Sequence, residues 1–385
     1  MLNILILGLT SFLTDISSEM VYPLIPLYLT SVLGAGPAIV GVIEGLAESL
    51  ASLLRVFSGY WSDRIRRRKE LTISGYALSG IGKIILYLSA SWPLVLVSRV
   101  VDRFGKGVRT APRDALIAES ADPTQRGNAF GLHRAMDSAG ASIGVILGYI
   151  FFISLKDNYN GVFLLAIIPA VLGVLVLSFV RETARPQREQ AARPSREPWW
   201  RGLGQRWQML DRRLKLFLVI VFLFTLGNSS NQFLLLRAKN QGFDDATVIL
   251  MYLVFNVIYT LVSWPAGRLS DRVGRKPLLV AGYLTYGLVY LGFATVSPLA
   301  LWGLFAVYGV YIAFTEGVEK ALVSDLAPGD LRATMIGLHA TFTAIGLLPA
   351  SVLAGFLWDT FGAPAPFYFG GAMGGLAALA LAVLI

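Results

Sequence analysis

Apolar stretches of about 20 residues recur from one end of this chain to the other, parted by short polar breaks. A stretch of that length crosses a hydrocarbon core of about 30 Å as a helix, because a helix satisfies its backbone hydrogen bonds where no water can. Twelve such spans can be placed, at 4–29, 38–60, 71–90, 93–119, 127–153, 161–181, 214–237, 246–267, 278–296, 299–326, 333–357 and 365–385. With 55% of its residues hydrophobic, 15% charged and a mean hydropathy of +0.63, the chain is too apolar for an ordinary soluble domain. It reads as an all-α membrane protein.

A net charge of +9 would suit nucleic acid, but the positions of the cations point elsewhere. Five lie in "DRIRRRKE" (63–70), four in "RLSDRVGRK" (268–276) and nine arginines in 181–213, always after an even-numbered span. The opposite loops hold few cations, such as Lys156, Arg237 and Lys239. Basic loops stay on the cytoplasmic side. Both termini are therefore expected in the cytoplasm, the chain in a cell (inner) membrane, with the lipid bilayer as its partner and no nucleic acid. The first span starts at once, without separate basic, apolar and cleavage regions, and is expected as a retained helix. The absence of cysteine excludes disulfides, thiol catalysis and cysteine metal sites. No nucleophile elbow, phosphate loop or zinc motif is visible, so neither an enzyme, a cofactor nor a metal is expected.

Residues 182–213 form the long polar segment of the chain, rich in arginine and broken by Pro186, Pro194 and Pro198. They are expected to be a cytoplasmic linker. Trp200, Leu203, Trp207 and Leu210 share a helical face there, with Arg201, Arg206 and Arg213 elsewhere on the wheel, as in a helix lying at the membrane surface. Residues 182–197 are either part of that surface or a loose tether. The two flanks, 1–181 and 214–385, repeat each other. "ALIAESADPTQRGNAFGLH" (115–133) aligns with "ALVSDLAPGDLRATMIGLH" (321–339) at an offset of 206, and "GYWSDRIRRRK" (59–69) with "GRLSDRVGRKP" (267–277) at 208. A repeat in one orientation suits two parallel bundles related by an axis along the membrane normal.

The loop pattern Gly-x-x-x-Asp-Arg-x-Gly-Arg-Lys resembles the signature between the second and third helices of the major facilitator superfamily (MFS). Gly267, Asp271, Arg272, Gly274, Arg275 and Lys276 match it in full; Gly59, Asp63, Arg64, Arg67 and Arg68 match in the first copy, where Arg66 replaces the second glycine. Span count, basic linker and duplicated loop agree with it over the whole chain. The resemblance implies the MFS fold, 12 transmembrane helices in two pseudo-symmetric six-helix bundles. It also implies a secondary transporter, expected as a monomer, that alternates access to a central cavity for a small-molecule substrate.

The charges of the loops suggest two cytoplasmic latches. One would join Asp63, Arg64 and Arg67 to Glu119, the other Asp271, Arg272 and Arg275 to Asp325, stabilising the outward-facing state. The glycines Gly59 and Gly267 would let a neighbouring helix approach closely. The alternative is that these charges only set topology.

The fourth span is the most charged. Arg99, Asp102, Arg103, Lys106, Arg109 and Arg113 step by three or four and share one helical face. A cation facing lipid costs about 2.5–3.5 kcal/mol near the bilayer centre, so the face must look inward. Pro112 is expected to kink the helix near Arg113. Superfamily members often carry Arg-x-x-x-Gly-x-Gly in this helix, a pattern thought to assist proton transfer. Arg99 fits it by its distance to "ALIAE", Arg103 by its glycine, and both anchors stay open. The string "DRFGKGVRTAPRDALIA" also resembles bacterial facilitators labelled multidrug or siderophore exporters.

Acids that can answer these cations are Asp15 and Glu19 on span one, Glu44 and Glu48 on span two, and Asp137 beside Arg134 on span five; span three adds Lys83. Span seven offers neutral Asn228 and Asn231 instead. Acids on spans one or five either carry the proton, with the cations tuning them as pairs form and break, or are permanent pairs that hold the bundle. His133 and His339 recur at equivalent positions, which suggests a shared structural role. Gly140, Gly144 and Gly148 form a close-packing face, though the glycine–proline motif common in superfamily antiporters is missing from span five. Tyr22, Phe222, Phe224, Tyr252, Phe255, Tyr259, Tyr308 and Tyr311 either line a cavity or pack. Two functions follow: a proton-coupled exporter (antiporter) of a small organic compound, or a transporter of an anionic solute held by the cationic face.

Overall fold

The computed structural model describes residues 2–65, 67–122, 125–180, 211–295, 298–327 and 332–385, with the side chains of residues 56, 60, 63–65, 126, 127 and 332–334 outside the description. The linker 182–213, apart from its last three residues, lies outside the described residues.

The helices follow the hydropathy pattern closely. They are α1 (Leu2–Val21), α2 (Pro37–Ile65), α3 (Arg68–Tyr87), α4 (Trp92–Ser120), α5 (Arg126–Ser154), α6 (Tyr159–Ser178), α7 (Arg212–Gly227), α8 (Asp245–Val273), α9 (Arg275–Thr295), α10 (Leu301–Leu326), α11 (Arg332–Phe361) and α12 (Ala365–Leu384). Two of them continue past a break. α1 resumes over Leu24–Leu27 and a π-helical turn, Tyr28–Val32, and α7 resumes over Gln232–Asn240. α4 runs through Pro112 as one helix. Ten of these segments are long and apolar enough to cross a membrane by length and composition, α3 and α4 being the exceptions. These two helices carry the charges, of which Lys83, Arg99, Asp102, Arg103 and Arg109 are buried inside the protein.

The helices form two six-helix bundles. In the first, α1 packs on α5 and α6, α3 on α4 and α6, and α2 on α4; in the second, α7 packs on α11 and α12, α8 on α10, and α9 on α10 and α12. The halves meet along two seams, α2 with α11 and α5 with α8. Large apolar side chains such as Leu175, Leu288 and Leu376 point outward and are exposed, as on a surface made for lipid. Successive helices alternate in direction, so the basic loops gather at one end of the molecule, here termed the basic end.

At the opposite end the halves are shut against each other. A Cβ at Gly41 would overlap the Ser351 carbonyl oxygen, and one at Gly45 would lie 3.0 Å from that of Leu348. Backbone contact this close needs glycine. The Ala38 amide donates to Asp359 at 3.2 Å and the Ser49 hydroxyl to the Ala344 carbonyl at 2.8 Å along the same seam. Across the rim, the Tyr159 hydroxyl donates to Asp245, which also pairs with Lys239 at 2.6 Å.

Of the glycines singled out in sequence, Gly144 and Gly148 do hold α5 against α1, each placing a notional Cβ 2.7 Å from a carbonyl oxygen of α1. Gly59 and Gly267 do not act as expected. Gly59 makes an ordinary 3.5 Å contact with Ala111, and nothing lies within 4 Å of Gly267, because that stretch of α8 borders open space at the basic end.

Candidate functional site

α2 and α4 are joined by a ladder of buried ion pairs. Glu44 and Glu48 stand one turn apart on α2, and Arg99 and Arg103 one turn apart on α4, so the helices meet rung for rung. Arg99 Nε lies 2.6 Å from Glu44 Oε1 and Nη2 lies 2.8 Å from Oε2, a bidentate pair; Arg103 Nη2 lies 2.8 Å from Glu48 Oε1. The other edge of the α4 face turns to α3. Asp102 pairs there with Lys83 at 3.1 Å and is also 3.6 Å from Arg99. Arg109 donates to the Ser79 hydroxyl and covers the Tyr76 ring at 4.4 Å. Arg99, Asp102, Arg103 and Arg109 are all buried. A charge taken out of water costs several kcal/mol unless it is paired, which is why acids and cations alternate here. The α4 face is thus an internal seam with α2 and α3.

A second chain of polar contacts runs from α4 to the far half. Arg113 pairs with Asp114 at 2.9 Å and donates to the Ser11 hydroxyl at 3.1 Å; Ser11 in turn donates to Asp137 at 2.8 Å. Asp137 is 3.5 Å from Arg134, and Arg134 reaches Glu316 of the second half at 3.7 Å. Glu316 also accepts the Tyr259 hydroxyl at 2.6 Å. Asp15 lies within hydrogen-bond reach of Asp137, a contact that two carboxyl groups make by sharing a proton. Glu19 accepts the Tyr252 hydroxyl at 3.1 Å, again across the halves. Lys106 lies in electrostatic reach of Asp15, Glu19 and Glu48 and makes no ion pair with the described residues.

Beside this chain opens a cavity of about 480 Å³ at the basic end, bordered by Arg134 and Tyr259 at its deep side, by Glu316 and Lys320, and by Asp271 and Arg275 near the loops. That volume suits a small organic molecule.

At the break in α7 the polar groups are neutral. Asn228 donates to the Tyr311 hydroxyl at 3.0 Å, and Asn231 accepts that of Tyr308 at 2.7 Å, tying the break in α7 to α10. Tyr308, Tyr311, Phe224, Tyr252 and Phe255 are buried in an aromatic core with Tyr283, Tyr286 and Tyr290, whereas Tyr259 borders the cavity.

The loop residues assemble within each half. Arg275 contacts both Asp271 and Asp325, the latter at 3.4 Å. In the first half Glu119 pairs with Arg68, at 2.5 Å, and Arg67 turns to Glu70 at 3.2 Å. The reason is geometric: Arg68 opens α3 and faces α4, while Arg67 precedes the helix and is exposed. The side chains of Asp63 and Arg64 lie outside the described residues. Sequence reasoning did not pair Glu316 or Asp245 across the halves, and read Tyr252 and Tyr259 as cavity-lining or packing groups and not as cross-half partners; polar hydroxyls and acids within apolar spans were the available signal.

A family pattern described as "Major Facilitator Superfamily" matches residues 7–236 and 216–385. The chain belongs to the Major Facilitator Superfamily. It is a multi-pass membrane transporter and not an enzyme. An uncharacterized MFS-type transporter of Methanocaldococcus jannaschii, MJ1317, is 41% identical over 363 residues, 92% of this chain and 88% of that one. The multidrug resistance protein MdtH of Aeromonas hydrophila is 26% identical over 362 residues, 92% and 87% of the two chains. In fold, the chain is similar to the crystal structure of the nucleoside transporter NupG, with a TM-score of 0.82 over 100% of this chain and 99% of that one at 14% identity. In this facilitator the charged groups are concentrated in the first bundle, and the second bundle presents tyrosines and amides to them.

Proposed function

We propose that this facilitator is a proton-coupled exporter of a small organic compound, taking its substrate from the basic end. The observation that carries the reading is the placement of acids at the seam. Glu19 and Glu316 are bonded across the halves, by Tyr252 and by Arg134, and Asp15 and Asp137 stand between them and the α4 cations. A carboxylate that gains a proton loses its pull on an arginine and accepts hydrogen bonds less well. Protonation there weakens the bonds that keep the halves in this arrangement, which is what coupling requires. The likeness to MdtH multidrug resistance proteins supports an organic substrate and outward transport.

In the same reading residues 1–181 and 214–385 rock against each other, 182–213 tethers them in the cytoplasm, and the Arg275 and Arg68 pairs brace the loops of each half. The basic end faces the cytoplasm of a cell (inner) membrane, both termini lie there, and the working unit is a monomer. Cells expressing the protein and loaded with ethidium should lose the dye when energised and retain it after a protonophore is added, with slower loss in Glu19→Gln and Asp137→Asn. Dye loss indifferent to the protonophore contradicts the reading.

Transport of an anionic solute is favoured by one observation, the lack of an ion pair at Lys106 among the described residues. The other α4 cations are engaged: Arg99, Arg103 and Arg113 by acids, Arg109 by Ser79 and Tyr76. Organic cations and anions compared as stabilisers of the purified protein distinguish the two, since a ligand raises the melting temperature of the state that binds it.

A further inference from the structure

The repeat puts His133 and His339 at matching positions and then gives them opposite company. At the offset of 206 that relates them, Arg113 is matched by Glu319 and Asp114 by Lys320, so both charges are inverted between the halves. The consequence is visible in three dimensions. His133 lies within reach of Arg113, Asp137 and Asp114, and its buried Nε2 has no hydrogen-bond partner among the described residues. His339 Nε2 lies 3.2 Å from Glu319 Oε2. The two histidines are equally buried and differ in their hydrogen bonding.

The surroundings of the second pair are specific. Glu319 Oε1 accepts the Tyr283 hydroxyl from α9 at 2.9 Å, which fixes the carboxylate and leaves its other oxygen for the imidazole. Phe217 of α7 lies parallel to the imidazole, with centroids 6.4 Å apart and planes 12° apart. Tyr311, on α10 itself, is the further titratable group within reach of the Glu319 charge. The side chains of His339 and Glu319 are 6% and 15% exposed, and neither makes another ion pair with the described residues. Their neighbours on α10, Glu316 and Lys320, border the cavity. No three His, Asp or Glu side chains converge among the described residues.

We propose that Glu319 and His339, with Tyr283 holding the carboxylate, form a proton-binding site of the second half that is reached from the cavity at the basic end. Imidazole is the side chain whose ordinary titration falls between pH 5 and 8, and a proton on His339 turns its contact with Glu319 into a buried ion pair. All three residues belong to α9, α10 and α11, so the site moves with one half as a unit. It does not depend on the seam bonds of Glu19 and Glu316. Its use in transport rests on the proton-coupled reading; its titration does not.

The chain has two histidines, which makes the test direct. Protein labelled with ¹⁵N-histidine in lipid nanodiscs gives two sets of imidazole signals, assigned with His133→Asn and His339→Asn. Scanned from pH 5 to 8, the His339 ring should take up a proton, and should do so less readily in Glu319→Gln, while the His133 signal stays in place. A His339 ring that keeps one neutral tautomer across that range overturns the proposal, as does a midpoint unmoved in Glu319→Gln. The wild-type titration decides the first point even if the variant misfolds. Titration of His339 in a protein that moves ethidium without a pH gradient supports the site and removes the proton-coupled reading. Gradient-driven transport by a protein whose His339 does not titrate removes the site and leaves the reading.

Discussion

Arg99 and Glu44 meet through two nitrogen–oxygen contacts, 2.6 and 2.8 Å long, with the arginine 3% exposed and the glutamate 0%. The pair joins α4 to α2, the helix that forms the tight seam with α11, and so links the charged interior to the contact between the halves. Arg99→Ala leaves Glu44 buried without its partner and should cost about 3–5 kcal/mol, while the double change Arg99→Leu with Glu44→Leu should recover most of that loss. Melting curves of the parent and the two purified variants check it. Equal losses in the single and double variants would show that the pair does not act as a unit.

The α2–α11 seam should open when its glycines gain side chains. Gly41→Leu overpacks the contact with Ser351, at about 1–3 kcal/mol, which shifts the closed-to-open ratio by about five- to a hundredfold. The chain has no cysteine, so a lone Ala38→Cys can be labelled with a maleimide reagent without background. Labelling should be several-fold faster in the Gly41→Leu background. An unchanged rate would mean that the seam is not a gate.

These two regions differ in how far the sequence announces them. Twelve spans and the inward turn of the Arg99 to Arg113 face were legible because lipid imposes two strict rules, one on the length of apolar helices and one on the placement of charge. Choice of partner was not legible. Whether Glu119 takes Arg67 or Arg68 depends on where α3 begins, a matter of one residue. Gly267 carries a loop motif in sequence yet borders a cavity in this arrangement, because the motif does not encode which end of a transporter is open. Gly41 and Gly45, which do permit close approach, form a Gly-x-x-x-Gly pair that the sequence reading did not single out. Cross-half bonds such as Glu19 to Tyr252 depend on how the bundles dock, and the repeat within each bundle says nothing of that.

At the rim opposite the basic end, Asp245 gathers Tyr159 of the first half and Lys239 of the second. Asp245→Asn keeps the shape and removes the charge. It should weaken closure there by about 1–3 kcal/mol, seen as faster labelling of Ala38→Cys in this background too. Tyr159→Phe should act in the same direction. Slower labelling in either variant would contradict the assignment of this contact to the closed rim.

Next to it, Asp244 caps α8 by accepting the Thr247 amide at 2.8 Å, and hydrogen bonds from the Thr247 side chain and from that amide hold its carboxyl below the usual aspartate range. The folded carboxylate therefore takes up its proton at lower pH than the unfolded one. Its stabilisation is complete above about pH 4 and fades as the pH falls further. Asp244→Ala should cost about 1 kcal/mol at pH 7, with a smaller gap from the parent near pH 3. Melting temperatures at the two pH values check the sign, and a gap that widens in acid would reverse it.

The central claim is that proton movement drives an organic solute through this facilitator. Purified protein in liposomes, with an acidic lumen and the basic end outward, should accumulate ethidium while the pH gradient lasts. Accumulation should stop when nigericin collapses the gradient, and carboxyfluorescein, an organic anion, should not replace the dye. Uptake that persists without the gradient, or that is specific to the anion, would contradict the account.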